Sequence, residues 1–461
     1  MRIIAVISAS LATLISSAPV AAAPAACDQS PLIVENVRRF NAGENENIAI
    51  VDGRIEWIGA VGAEPEKYAN ARRFDGGGAI ALPGLIDSHV HFEALPAAKH
   101  LQSQLNVASE IYPVTMRQTL ASGVTLARVH LSALDDMALL KTIADDNCFP
   151  APRIVLSGPG LRGGAPDLDA RLMRGVSNAE DLTVKINELV DRGAEWIAIH
   201  GPSAFDLAER DAIRGAIANH DIKLMIEGDS FHDFEAALDL AATSIEYLNR
   251  TDAPAYPNAI LTAVRKREAP LYVSAPIGYY QRSAEYADAE DKTLKQSLFD
   301  FVPSPLETEM RIAFPSAFER DQYIARAITA FPTMAHKFEQ LRSVGVRMVV
   351  GSDSGSLGQF HHDAIWAEFA AWRAFGASTK EVIDGATRVP AEMLGRADIG
   401  VLAHGAHGDV VLVNANFEID GFRRETVSAV IKGGVIFVED GEWRGPGADD
   451  MAARVNEYKK R

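Results

Sequence analysis

Pro83-Gly84-Leu85-Ile86-Asp87-Ser88-His89-Val90-His91 is the stretch on which the reading of this chain turns. Side chains alternate across a β-strand, so residues two apart point the same way. His89 and His91 therefore share one face at a strand end, where Ile86 and the preceding Ala79-Ile80-Ala81-Leu82 supply the strand and Gly84 interrupts it. Neutral imidazole is the commonest protein ligand of transition metals, and two imidazoles converging on one point make half a site. Two surface histidines would show the same spacing, so the surroundings decide.

Outward from that stretch, short apolar runs alternate with helical patterns. Runs at 124–129, 153–157, 196–200, 223–227, 243–247, 271–274 and 347–353 follow, making eight with the first. Eight strands with intervening helices fit the α/β class as a (β/α)8 TIM barrel, whose chemistry sits at the C-terminal ends of the strands. His89, His91, Glu227, Tyr247 and Asp353 would all stand on that rim. The two ends of the chain have a different texture. Ile48–Val51, the turn pair Asp52-Gly53 and Arg54–Gly59 read as a β-hairpin. Runs at 409–413 and 427–437 match it in character, which predicts a small β-sandwich-like domain built from both termini. The expected division is a β-domain over 28–82 and 399–445, a barrel over 83–398 and a tail over 446–461. An insertion at about 276–335, before the last strand, carries Tyr279, Tyr280, Tyr286, Phe299, Phe301, Phe314 and Phe318. It reads either as a lid or substrate wall, or as an aromatic patch that packs the insertion onto the barrel.

Composition narrows the function classes. A formal net charge of −17 over 461 residues argues against a nucleic-acid partner, because phosphate binding wants a basic face. Arg2, an apolar run at 3–15 and Ala21-Ala22-Ala23 read as an export signal over residues 1–26, with a retained anchor or a lipid on Cys27 as alternatives. That run is short for a bilayer span and no later segment has the length to cross one, so the mature chain is expected in the periplasm or secreted, without a membrane span. The 2 cysteines, Cys27 and Cys148, are either bridged or free, and they are too few for a zinc site.

Taken together these motifs resemble the amidohydrolase superfamily, and within it the metal hydrolases that include imidazolonepropionases and secreted prolidase-type dipeptidases. The 83–91 run is similar to the strand-one signature, and Gly123-Val124-Thr125 and the 152–158 run to strands two and three. Gly351-Ser352-Asp353-Ser354-Gly355 resembles the strand-eight motif, whose aspartate activates the attacking water. The runs 386–395 and 405–413 resemble the helix that follows and the return to the sheet domain. Three ligands that the resemblance implies are replaced: Ala198 stands for a bridging lysine, Glu227 for a strand-five histidine and Tyr247 for a strand-six histidine. A two-metal centre is therefore not expected. What remains is His89, His91 and Glu227, a two-histidine, one-carboxylate set of the catalytic zinc type, with Asp353 as further ligand and general base. Tyr247 is a candidate donor to a developing oxyanion, or else a wall residue. His200, two residues beyond Ala198, is a candidate additional ligand, and Glu227 has a rim arginine as its alternative partner. His130, His361 and His362 read as solvent-facing. The expected cofactor is one divalent ion, zinc, with manganese or iron as alternatives. The expected activity is hydrolysis of an amide, cyclic amide or other C–N bond of a small molecule or dipeptide. Its alternatives are a degenerate barrel that binds a small ligand without turnover, and a metal-dependent lyase or isomerase on the same fold.

Overall fold

Gly84 separates two sheets rather than interrupting one strand. In the computed structural model, which describes residues 27–96, 110–164, 167, 170–447, 450, 451 and 453–455, the expected export signal lies outside the described residues. The N-terminal part forms β1 (Leu32–Arg39), β2 (Glu46–Val51), β3 (Arg54–Ala60), β4 (Arg72–Asp75) and β5 (Ile80–Pro83). The run Ala79–Leu82 thus belongs to the terminal sheet and not to the barrel strand, a correction to the sequence reading. A Cβ at Gly84 would collide with Thr125 Oγ1 and come within 2.7 Å of Asp409 Cβ, so glycine is what lets the chain pass between sheets. The β2–β3 hairpin turns at Asp52-Gly53, with φ of +49° and +76°. Two positive φ values match the twist of the flanking strands, which is why Asp-Gly is favoured there.

The middle of the chain forms β6 (Leu85–Val90), β7 (Val124–Val129), β8 (Arg153–Leu156), β9 (Gly160–Gly163), β10 (Met173–Val176), β11 (Trp196–His200), β12 (Lys223–Glu227), β13 (Ser244–Glu246), β14 (Tyr272–Ser274) and β15 (Arg347–Val349). All pair in parallel, as β6-β7-β8 and as β10-β9-β11-β12-β13-β14-β15. β8 and β9 follow one another across Ser157-Gly158-Pro159 as two parts of a broken third strand, β8 pairing with β7 and β9 with β11. On the other side Ser88 N–H donates to Val350 O at 2.9 Å and Asp353 N–H to His89 O at 3.0 Å, joining β6 to the segment that leaves β15. Ile86, Leu126, Val155, Ala198, Met225 and Val349 pack into one buried cluster inside these strands. Two residues further along β7, β11 and β12 the inward positions turn polar, at Arg128, His200 and Glu227. Alternation thus puts an apolar plug beneath a polar mouth.

Between β14 and β15 stand helices Ile277–Asp288, Ser304–Arg320 and Gln322–Ser343. Tyr280, Phe299, Phe314 and Phe318 are buried, and Tyr286 packs on Phe314 and Phe318 with ring centroids 5.2 and 4.5 Å apart. Packing therefore explains most of the aromatic content, and Tyr279 alone of the seven reaches the cavity described below. The chain closes with β16 (Val410–Val413), β17 (Val427–Lys432), β18 (Val435–Glu439) and β19 (Glu442–Trp443). Strands of both ends share one sheet, in the order β19-β18-β17-β16-β5-β1-β2-β3, with β4 on β1. Ile48, Ile50 and Ile55 share a core with Val410, Leu412 and Ile431. Cys27 and Cys148 form a disulfide, which resolves the alternative left open by their spacing. No helix among the described residues is long and apolar enough to cross a membrane.

Candidate metal centre

β6 carries His89 into the polar mouth and ends one residue before His91. His89 Nδ1 lies 2.9 Å from Glu246 Oε2, and His91 Nδ1 lies 2.9 Å from the backbone carbonyl of His130. A carbonyl can only accept. Glu246 is held ionised: burial works against its charge, but Arg128 and then His89 outweigh burial and push its pKa down to about 2. Both Nδ1 atoms therefore carry the ring protons. The two Nε2 atoms are left facing each other at 3.2 Å, with Asp353 Oδ1 at 3.1 Å from His91 Nε2 and 3.7 Å from His89 Nε2. Two lone pairs and a carboxylate oxygen aimed at one point repel unless a cation or a proton stands among them. His91 shows the consequence: burial opposes its charged form, yet the Asp353 carboxylate, with Glu227 and Glu93 beyond it, holds its pKa above the ordinary value. The same three atoms fit a metal ion as well as a proton, because imidazole nitrogen and carboxylate oxygen are the usual donors to zinc and its neighbours.

The strand-eight motif is shaped by close approach. A Cβ at Gly351 would collide with Ser274 Oγ and sit 2.8 Å from His89 Cβ. Asp353 then adopts φ +56°, in the left-handed region, and turns its carboxylate inward. Tyr247 Oη donates to Asp353 Oδ2 at 2.9 Å and Ser356 Oγ donates to Oδ1 at 2.7 Å. Burial raises the Asp353 pKa, but the His91 hydrogen bond and the charges of His89 and His91 outweigh it and leave the carboxyl below its ordinary value. Tyr247 is pushed well above the usual phenol range by burial and by the Asp353 charge, so its hydroxyl stays a donor.

Glu227 does not join this group. It faces His130 and His200, with Oε2 at 3.0 Å from His130 Nε2 and 3.1 Å from His200 Nε2, while Arg250 Nη2 donates to Oε1 at 2.7 Å. The arginine partner weighed from the sequence is therefore present, beside two imidazoles. His130 is 1% exposed, against the expectation of a solvent-facing residue. Its period was readable, because His130 continues the alternation of Leu126 and Arg128 one residue past the end of β7. His361 and His362 are buried too: the ring of His361 stacks on Phe92, and His362 faces Asp300 at 3.3 Å. Sequence reasoning also passed over Glu246 and Arg128. Arg128 donates to Glu246 Oε1 at 2.6 Å, to Ser244 Oγ at 2.8 Å and to Ser88 O at 2.7 Å, beneath His89. The signal was Glu246 itself, an acid in an apolar strand, one residue before the tyrosine that drew attention.

His91, Glu227 and Asp353 open onto a cavity of about 1030 Å³, walled further by Arg162, Tyr279 and Tyr323. That is room for a small molecule of dipeptide size or somewhat larger. An imidazolonepropionase of Polaromonas sp. strain JS666 is 52% identical over 44 residues, 10% of each chain. One from Brucella anthropi is 24% identical over 177 residues, 36% of this chain and 37% of that one. The chain thus spans between a tenth and little over a third of the length of these relatives. A solved prolidase complexed with N-methylphosphonate-L-proline superposes with a TM-score of 0.70 at 19% identity, covering 89% of this chain and 100% of that one. At that identity the likeness shows the fold, a TIM barrel with a β-rich domain. A family model described as the amidohydrolase family matches residues 80–436, from β5 to β18 and across the paired histidines and Asp353, and the chain belongs to that family.

Proposed function

We propose that this chain is an exported, metal-dependent amidohydrolase that hydrolyses an amide, cyclic amide or other C–N bond of a small molecule or dipeptide. One observation carries the reading: His89 Nε2, His91 Nε2 and Asp353 Oδ1 converge at the cavity while both Nδ1 protons point away from it. A divalent ion held there, zinc with manganese or iron as alternatives, would supply Lewis-acid polarisation and a water of lowered pKa. The chain's own residues do the rest. Asp353 takes the proton of the attacking water and returns it to the departing nitrogen. Tyr247, bound to Asp353 Oδ2, acts through that carboxylate as a positioning residue; it reaches an oxyanion only by turning its hydroxyl away. Glu246 and Arg128 fix the His89 ring so that Nε2 faces the cavity. The imidazolonepropionase and prolidase likenesses support C–N bond cleavage as the reaction class. Export is supported by the Cys27–Cys148 disulfide, which suits an oxidising compartment. We divide the chain as a β-domain over 28–82 and 399–445, a closed eight-stranded barrel over 83–398 with its insertion at 276–335, and a tail over 446–461.

The test pairs metal analysis with turnover on N-acyl amino acids, dipeptides and lactams. Asp353→Asn keeps the shape but removes the base, so turnover should fall by roughly 10²–10⁴ while ion content changes far less. His89→Ala should lose ion and turnover together. Wild-type protein that holds metal but turns over none of these compounds would favour a ligand-binding barrel instead.

A further inference from the structure

We propose that His130, His200 and Glu227 form a second divalent-cation site, separate from His89, His91 and Asp353, so that the protein holds two ions through a donor set of its own. The residues come from the ends of β7, β11 and β12. Parallel register places His200 opposite Glu227, and His130 reaches the same point from the far side of the broken third strand. Neighbouring ligands of a tetrahedral ion lie about 3.4 Å apart, given bonds of about 2.1 Å. The observed separations from Glu227 Oε2 are 3.0 Å to His130 Nε2 and 3.1 Å to His200 Nε2.

One hydrogen bond, between His130 Nε2 and Glu227 Oε2 at 3.0 Å, accounts for part of this crowding but leaves His200 unexplained. His200 Nε2 is buried and, despite its distance, has no hydrogen-bond partner, because it meets the carboxylate off the bonding direction. His130 Nδ1 lies 2.9 Å from the sulfur of Met225. One ring proton cannot serve both contacts: on Nε2 it bonds the Glu227 carboxylate, and a cation taking its place there would move it to Nδ1, where the thioether is a weak acceptor. A carboxylate oxygen and two imidazole nitrogens thus point at one place, with only the His130–Glu227 contact in hydrogen-bonding geometry. Arg250 occupies the other oxygen of Glu227, which orients Oε2 toward the two imidazoles. No side chain of β11 bridges the two groups, since Ala198 lies lower, among the apolar residues of the plug. Two imidazoles and one carboxylate, with an open side on the cavity, suit zinc or another borderline divalent ion.

The proposal rests on the reading of the chain as a metal protein, and the test keeps the two apart. The full-length mature protein is stripped with chelator, reloaded with excess zinc or cobalt, freed of unbound ion and analysed for metal per chain. Wild type should hold about two ions, and His200→Ala and Glu227→Gln about one each. His89→Ala/His91→Ala should also hold about one, retained at the second site. Cobalt-loaded His200→Ala should keep the absorption bands of one site and lose those of the other. Competition titration of wild type against a chromophoric chelator should resolve two binding classes, which tests the site even if a variant misfolds. Wild type saturating at one ion, lost in His89→Ala/His91→Ala but kept in His200→Ala, overturns this proposal and leaves the proposed function standing. Wild type that binds no ion overturns both.

Discussion

His89 depends on Glu246, and Glu246 depends on Arg128. All three are buried, and one carboxylate serves both the imidazole and the guanidinium. Removing the charge from Glu246 leaves Arg128 buried without compensation, a loss of about 3–5 kcal/mol for a broken buried pair. It also frees the His89 ring to turn, and loss of such a carboxylate behind a histidine ligand lowers metal affinity about 10- to 100-fold. Glu246→Gln should therefore shift the denaturant midpoint of the ion-free protein downward and weaken zinc in chelator competition. A variant that unfolds at the wild-type midpoint would show that Arg128 finds its compensation elsewhere. Residues of this kind were hard to find in the sequence. His89, His91 and Asp353 sit in runs whose surroundings resemble a family signature, and those surroundings give the spacing its meaning. Glu246 and Arg128 act through other residues, and His130 is a lone histidine past a strand end, which composition cannot tell from a surface one. Only its place in the alternation of β7 distinguishes it.

The loops that follow β11 and β12 are held as a pair by Asp233, in the first turn of the helix Phe231–Asp239. Its carboxylate accepts from Ser203 N–H at 3.1 Å and Ser203 Oγ at 2.6 Å on one loop. On the other it accepts from Asp229 N–H at 3.1 Å, Ser230 N–H at 3.1 Å and Ser230 Oγ at 2.8 Å, while Ser230 Oγ in turn caps the Asp233 N–H. This is the capping-box arrangement extended to a second loop. Burial raises the pKa of the carboxyl, but the hydrogen bonds from Ser203 and Ser230 outweigh it and hold the value below the ordinary one. A depressed folded-state pKa stabilises the fold above the unfolded value of about 3.9 and is lost as pH falls through the folded value. Asp233→Ala should cost about 1–3 kcal/mol near neutrality and flatten the decline of stability below about pH 4, measured by denaturant melts across pH. An unchanged acid slope would mean the capping bonds do not depend on the charge. The sequence shows strands at this scale better than their joints. Each of the eight apolar runs read from the sequence contains a parallel strand, because burial on both faces demands such runs. The break of the third strand at Gly158-Pro159 and the pairing of β9 with β11 are not, since no local pattern tells which neighbour a strand meets. The insertion announces its length but hides its form, because aromatic content serves a packed helix and a substrate wall alike.

At the scale of the molecule, the loop 144–151 is the knot between barrel and terminal sheet. Lys432 of β17 is buried and donates to the carbonyls of Ala144 at 2.7 Å, Asp146 at 3.2 Å, Phe149 at 3.1 Å and Ala151 at 2.8 Å. Cys148, in the same loop, is bonded to Cys27, and Arg72 donates to Asp28 O at 2.9 Å and Gly434 O at 3.0 Å, so the N-terminal segment reaches the β17–β18 turn as well. The matching strand texture of the two ends is what the sequence offers toward a common sheet. It could not choose between bridged and free cysteines, because the pairing of residues 121 apart is decided by where the folded loop lies. Two devices holding one loop should not act independently. Cys27→Ser/Cys148→Ser should cost about 2–4 kcal/mol by releasing the unfolded chain from a long loop constraint. Lys432→Met should cost about 1–3 kcal/mol or more, because buried carbonyls lose their donor. Because the ammonium fixes the loop that presents Cys148, a double-mutant cycle should give a coupling of about 0.5–3 kcal/mol rather than a simple sum. The readout is the denaturant midpoint of the four proteins under conditions of reversible unfolding. Costs that add to within about 0.5 kcal/mol would show that the disulfide and the lysine anchor separate parts of the fold.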